Sequence, residues 1–167
     1  MVERSRGEEM AGLVQHLRAT GQLNAGLILR ALLSGNLELF EAALAQLADL
    51  PLARVTALVH DHGNASLQAL LVHAGLPEST FAAFRVALEA SRETGYVDTT
   101  GGAERLRRRM VERVLTHCET DGRSAEPLLI LLRRFATESA REEARMFCEE
   151  LVADEAHVPP VRDLIAA

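Results

Sequence analysis

The 167-residue chain contains no tryptophan, no lysine, one tyrosine (Tyr96) and only two cysteines. Aromatic residues make up 4% of it. Sandwiches and barrels draw on aromatic and β-branched side chains to pack a pleated surface, so so few rings argue against an all-β fold. No apolar run approaches the length of about 18 residues that a membrane helix requires. The Met1–Met10 stretch is charged through Glu3, Arg4, Arg6, Glu8 and Glu9 and lacks the apolar core of a secretion signal. Cys118 and Cys148 lie far apart, and nothing resembles a CxxC pair. Two such thiols read as reduced cysteines and not as a disulfide framework. These absences together lead to the expectation of a cytoplasmic protein.

The chain is 48% hydrophobic and 25% charged, which rules out disorder. Leucine and alanine supply roughly a third of the residues, a helix-forming composition. The length predicts one domain, residues 1–167, able to bury roughly 70% of its unfolded surface. The net charge of −6 is not that of a general nucleic-acid or anionic-membrane binder. All 18 basic residues are arginine.

Apolar residues recur at helical spacing along most of the chain. Asn24 predicts a cap for a helix running to about Ser34, apolar on most sides through Leu27, Ile28, Leu29, Leu32 and Leu33, and therefore central. Gly35 ends it, and Asn36 caps a second helix with Leu37, Phe40, Leu44 and Leu47 on its stripe. Leu50-Pro51 is a break. Leu52, Val55, Leu58 and Val59 mark a third helix, closed near Gly63. Asn64 is expected to cap a fourth, carrying Leu67, Leu70, Leu71 and Ala74, with Gly75 beyond it. Pro77 is expected in the first turn of a fifth, with Phe81, Phe84 and Leu88 inward. Thr94 to Gly102 reads as a loop. A sixth helix spans about Ala103 to Glu119 through Leu106, Met110, Val114 and Cys118. Pro127 opens a last helical stretch to about Ala153, with Leu128, Leu132, Phe135, Ala136, Ala140, Ala144, Phe147 and Leu151 on its stripe. Ser139 and Glu142 have capping-box spacing, which would divide this stretch in two. Pro159-Pro160 ends it.

The expected fold is all-α: a HEAT-like helical stack or multi-helix bundle of about seven to eight helices. Residues 20–94 form the HEAT-like half and 103–155 a long-helix hairpin. An internal echo at an offset of 41 pairs Leu29 with Leu70, Phe40 with Phe81, Ala42 with Ala83 and Leu47 with Leu88, a spacing in the HEAT range.

The runs Leu29-Arg30-Ala31-Leu32-Leu33, Gly35 through Leu44, Leu50-Pro51, Ala74-Gly75-Leu76-Pro77 and Arg107 through Thr116 resemble the bacterial "domain of unknown function 2336" family over roughly residues 20 to 120. The resemblance implies a helical, HEAT-like fold. It rests on packing and turn residues and implies no chemistry, since the family carries no agreed activity and no catalytic residues. Its members tend to be longer at the N-terminus, which implies a short member or a fragment.

Three groups of residues are candidates for chemistry. His60-Asp61-His62 offers imidazole and carboxylate ligands for a metal. On a helix, however, residues two apart diverge, with His62 on the apolar face and His60 on the polar one. His60 and His62 are therefore weak metal candidates, and a metal-dependent enzyme is the minor alternative. Arg105, Arg107, Arg108, Arg109 and Arg113 crowd one helix behind Gly101-Gly102. Arg105, Arg108 and Arg109 are the candidate anion-binding set. The opposing expectation is internal pairing with the acidic stretch Glu138 to Glu155 across a hairpin. His117-Cys118 are adjacent and cannot face each other on a helix, so Cys118 reads as a core thiol. With no catalytic motif and no cofactor implied, the expected function is a non-catalytic interaction or scaffold module that binds a protein partner. It is not expected to bind nucleic acid or a membrane, and it admits a homo-oligomer. An anion- or nucleic-acid-binding protein using the Arg105–Arg113 helix is the alternative.

Overall fold

The computed structural model describes residues 2–94 and 102–156. The expected loop between Thr94 and Gly102, and the Pro159-Pro160 stop, fall outside or at the edge of these residues. The described residues hold eight α-helices, one 3₁₀ turn and no strand. The helices are α1 (Val2–Ala19), α2 (Ala25–Leu33), α3 (Leu37–Ala48), α4 (Leu52–His60), α5 (Asn64–His73), α6 (Phe81–Thr94), α7 (Gly102–Asp121) and α8 (Glu126–Glu155). The all-α expectation holds.

Local chemistry sets most boundaries. Asn24 and Asn36 each turn a side-chain oxygen onto an orphan backbone N–H of the following helix. Asn24 Oδ1 accepts from Leu27 at 2.9 Å and Asn36 Oδ1 from Leu39 at 3.1 Å. Gly35 and Gly75 close α2 and α5 with φ of 76° and 74°, the left-handed conformation that glycine adopts without steric cost. Pro127 sits in the first turn of α8, where its missing N–H costs nothing.

Helix α2 is the centre. It packs against α3, α6, α7 and α8, and Ile28, Leu29, Leu32 and Leu33 are fully or almost fully buried. Helix α3 in turn contacts α1, α4 and α5. The Phe40 and Phe84 rings meet at 6.0 Å between centroids and tie α3 to α6. Gly26 brings α8 close, because a Cβ there would lie 3.0 Å from Leu131 Cδ2. Helices α7 and α8 form the most extensive pair. They run antiparallel, with Glu119 bonded to Arg133 near the turn and Arg108 to Glu143 further out.

Four expectations are corrected. Asn64 is not a cap: Gly63 holds that position, and Asn64 is the first helical residue. Nearby, Asp61 accepts from the Ser66 hydroxyl at 2.5 Å and from the Gly63 N–H at 3.4 Å, so the carboxylate organises this turn instead. Pro77 precedes a separate 3₁₀ turn, Glu78–Thr80, and α6 begins only at Phe81. Ser139 and Glu142 do not split the last stretch. Helix α8 is continuous for 30 residues, and Ser139 is buried in its middle. Finally, the α8 stripe leaves the core. Phe147 and Leu151 lie on a different side of the helix from the buried Leu128, Leu132 and Phe135 and stay more than half exposed. Helix α1 was not expected at all. It is held to α3 by Arg18, which donates to the Gln46 carbonyl at 2.8 Å, and by the buried Val14.

Burial predicts unequal costs along one sequence. Leu32→Ala is expected to lower unfolding stability by about 2–5 kcal/mol, while Leu151→Ala changes it by less than about 0.5 kcal/mol, both read from urea unfolding curves.

Candidate functional site

The arginine helix faces the acidic one. Arg108 Nη1 donates to Glu143 Oε2 at 2.6 Å and its Nε to Glu112 Oε1 at 2.8 Å. Arg105 approaches the other Glu143 oxygen at 3.9 Å. Arg107 bonds Glu104 at 3.4 Å, and Arg113 forks onto Glu93 at 2.5 and 3.2 Å. Of the candidate anion set, Arg105 and Arg108 therefore converge on one carboxylate already present. Arg109 alone is exposed with no ion-pair partner among the described residues. The Glu143 and Glu112 carboxylates hold the Arg108 guanidinium more firmly protonated than usual. Arg113 lowers the Glu93 carboxyl through its hydrogen bond first and its charge second.

The two histidines are not brought together. Helix α4 ends at His60, and His62 lies beyond it, exposed, instead of on the expected apolar face. His60 Nε2 sits 3.2 Å from Glu41 Oε1. Among the described residues no group of three or more His, Cys, Asp or Glu side chains could hold a metal ion.

Glu41 is the residue that sequence reasoning missed. It is buried at 9% exposure inside α3. Its Oε2 accepts from the Thr56 hydroxyl at 2.7 Å, and its Oε1 meets His60, one turn further along α4. A hydroxyl, a carboxylate and an imidazole are thus grouped, but in the wrong order for nucleophilic catalysis. There the imidazole must take the hydroxyl proton, whereas here both groups engage the carboxylate. The arrangement clasps α4 to α3 and meets the hydrogen-bonding needs of a buried charge. The signal was present in the sequence, since Glu41 falls in the middle of the Leu37, Phe40, Leu44 stripe.

Beside this clasp lies a groove of about 740 Å³ between α1, α3 and the Leu50-Pro51-Leu52 corner. Met10, Ala11 and Val14 of α1 face Ala42 and Ala45 of α3 across it. Glu38, Glu41 and Asp49 contribute carboxylates, and Arg6 the one cation, 3.7 Å from Glu38. The groove's lining is more apolar than polar. A smaller cavity of about 340 Å³, between α2, α7 and α8, is lined by Arg30, Arg107, Arg141, Glu138 and Glu142. Arg30 there pairs with Glu138 at 3.2 Å and lies 5.3 Å over the Phe135 ring. No single described helix is long and apolar enough to cross a membrane, and the α3–α4 pair that passes jointly on composition is bent by 117°.

Fold and site together define an all-helical protein with a charged hairpin seam and an apolar groove. The model of a family described as uncharacterised protein conserved in bacteria, domain of unknown function 2336, matches residues 1–124, and the chain belongs to that family. The match begins at α1, earlier than the resemblance near residue 20, and ends before α8. No curated protein and no solved structure matches the chain.

Both cysteines are free, Cys118 buried and Cys148 exposed. Burial raises the Cys118 thiol above its ordinary value and so disfavours the thiolate. With a maleimide at neutral pH, Cys148 is expected to react rapidly and Cys118 only as the chain unfolds, as mass spectrometry of the labelled protein will show. A pH effect follows from Glu93. Its folded-state value is depressed, so its contribution to stability is present above the ordinary glutamate value and lost as pH falls through the folded one. The stability gap between wild type and Glu93→Gln is therefore expected to shrink on acidification, measured by denaturant unfolding at neutral and acid pH.

Proposed function

We propose that the chain is a non-catalytic interaction module whose docking surface is the α1–α3 groove. The carrying observation is an apolar floor of Met10, Ala11, Ala42 and Ala45 rimmed by Glu38 and Asp49 against the single Arg6. An apolar channel with acidic edges fits an amphipathic segment that buries one face and presents Lys or Arg at its rim. The helical pairs α2–α3 and α5–α6, each turned by a left-handed glycine, support a HEAT-type reading of the 20–94 half, an architecture that binds partners through shape.

Capture from a bacterial lysate with wild type and Ala11→Arg in parallel tests this reading. Ala11 is exposed and lines the groove, so the substitution leaves the fold intact while filling the channel and repelling a basic segment. Partners held by wild type are expected to fall at least about ten-fold on the variant, a loss of about 1.4 kcal/mol of binding. No partner above background, or equal recovery on both, overturns the proposal. Oligonucleotide or heparin binding at low salt that disappears when Arg105, Arg108 and Arg109 are neutralised would put the anion-binding alternative in its place. Stoichiometric metal by elemental analysis, lost when His60 and His62 are replaced, would do the same for the metal reading.

A further inference from the structure

The last three turns of α8 carry an apolar face that none of the described elements covers. Phe147 is 53% exposed, Leu151 52% and Val152 67%, and Cys148 is exposed between them. At 100° per residue, Ala144, Phe147, Cys148, Leu151 and Glu155 fall on one side of the helix. The core seam of Leu128, Leu132, Phe135 and Ser139 continues on another, through the half-buried Met146. The strip is therefore not a frayed part of the core but a second face, in a helix that lies beyond the residues matched by the family model.

Its charges are arranged end against end. Toward the middle of α8 stand Arg141 and Arg145, and Arg105 of α7 is brought near the same part of the helix by Glu143. Toward the C-terminal end stand Glu149, Glu150, Asp154 and Glu155. Arg141 at the basic end, and Glu150, Asp154 and Glu155 at the acidic end, make no ion pair among the described residues. A surface with unlike charges at its two ends is complementary to itself when reversed.

We propose that two copies of the chain associate antiparallel through this strip, about a two-fold axis passing between Phe147 and Cys148. Reversal sets Ala144 against Leu151 of the second copy and Phe147 against its Cys148. It carries Arg141 and Arg145 toward Glu155 and Glu149 on one flank, and Asp154 toward Arg105 on the other. A two-fold contact repeats each of these pairs, so every favourable juxtaposition counts twice. A parallel pairing would instead stack the four acidic residues on themselves. One strip of three turns is smaller than the roughly 800 Å² per partner of a stable interface, so the dimer is weak and reversible. This contact is independent of the α1–α3 groove.

Sedimentation velocity of the full chain over a concentration series tests the proposal, together with a short bismaleimide cross-linker and peptide mapping. The expected results are a reversible monomer–dimer equilibrium weakened by salt and a covalent dimer joined at Cys148 that Cys148→Ser abolishes. Leu151→Glu, exposed and harmless to the fold by circular dichroism, is expected to weaken association at least ten-fold. Arg141→Glu and Glu155→Arg should each weaken self-association, while an equimolar mixture of the two recovers it as a heterodimer, because each altered residue then meets its opposite. A chain that sediments as a monomer at every concentration overturns the inference, whatever else covers the strip. So does a dimer that survives Leu151→Glu, or cross-links that do not join Cys148 to Cys148.

Discussion

Burial of α2 on several sides is the constraint on which the other elements depend. A nine-residue helix is marginal in water on its own, because nucleation fixes several residues before hydrogen bonds accumulate. Here Asn24 satisfies its first turn, Gly35 its last, and α3, α6, α7 and α8 remove its leucines from water. It is the one element that touches all four of them. Its one charged side chain, Arg30, lies at the edge of that core. There its stem stays dry over Phe135 while its head reaches Glu138 in solvent, which is how a long cation can border an apolar centre.

The ion pairs have a different role. Arg108–Glu143 and Arg133–Glu119 join partly or fully exposed side chains, and such pairs contribute little net stability. What they fix is register. Glu119 lies opposite Arg133 and Glu143 opposite Arg108, so sliding α8 by a turn would break both pairs. The α4 terminus is held differently. Arg92 of α6 donates to the carbonyls of Val59 and Asp61, oxygens left without helical partners where α4 stops. Using arginine as its only long cation gives the chain forked donors at each of these places.

Elements bounded by caps, glycines and prolines were readable from sequence, because each boundary is a local chemical event. Asn24, Gly35, Asn36, Pro51 and Gly75 all stand where their chemistry predicts. The misses arise where the deciding partner is distant. Helix α1 has a charged first half and buries only Val14 completely, so its periodicity is faint, and its attachment depends on a carbonyl 28 residues away. Ser139 and Glu142 have the spacing of a capping box, but a cap needs an extended backbone at the serine, and the apolar seam on either side keeps the helix running. On α8, four-residue steps drift around the helix, so Leu128 to Leu151 reads as one stripe although Phe147 and Leu151 end on a different side from the buried Leu128, Leu132 and Phe135. The arginine–glutamate hairpin was legible as a charge balance. That Arg105 and Arg108 would share Glu143 was not, since it depends on the rotation of one helix against the other.

The clasp around Glu41 connects these points to the site. A carboxylate in the apolar stripe of α3 carries a desolvation cost that leucine would not. Both of its oxygens are engaged from α4, by Thr56 and by His60 one turn later, so the buried charge sets the angle at which α4 leaves α3. That angle carries the Leu50-Pro51-Leu52 corner outward, where it forms one wall of the groove. A leucine at position 41 could pack equally well against several orientations of α4, whereas a carboxylate with two directional partners accepts only one. The polar residue inside the core thus helps define the shape of the concavity outside it.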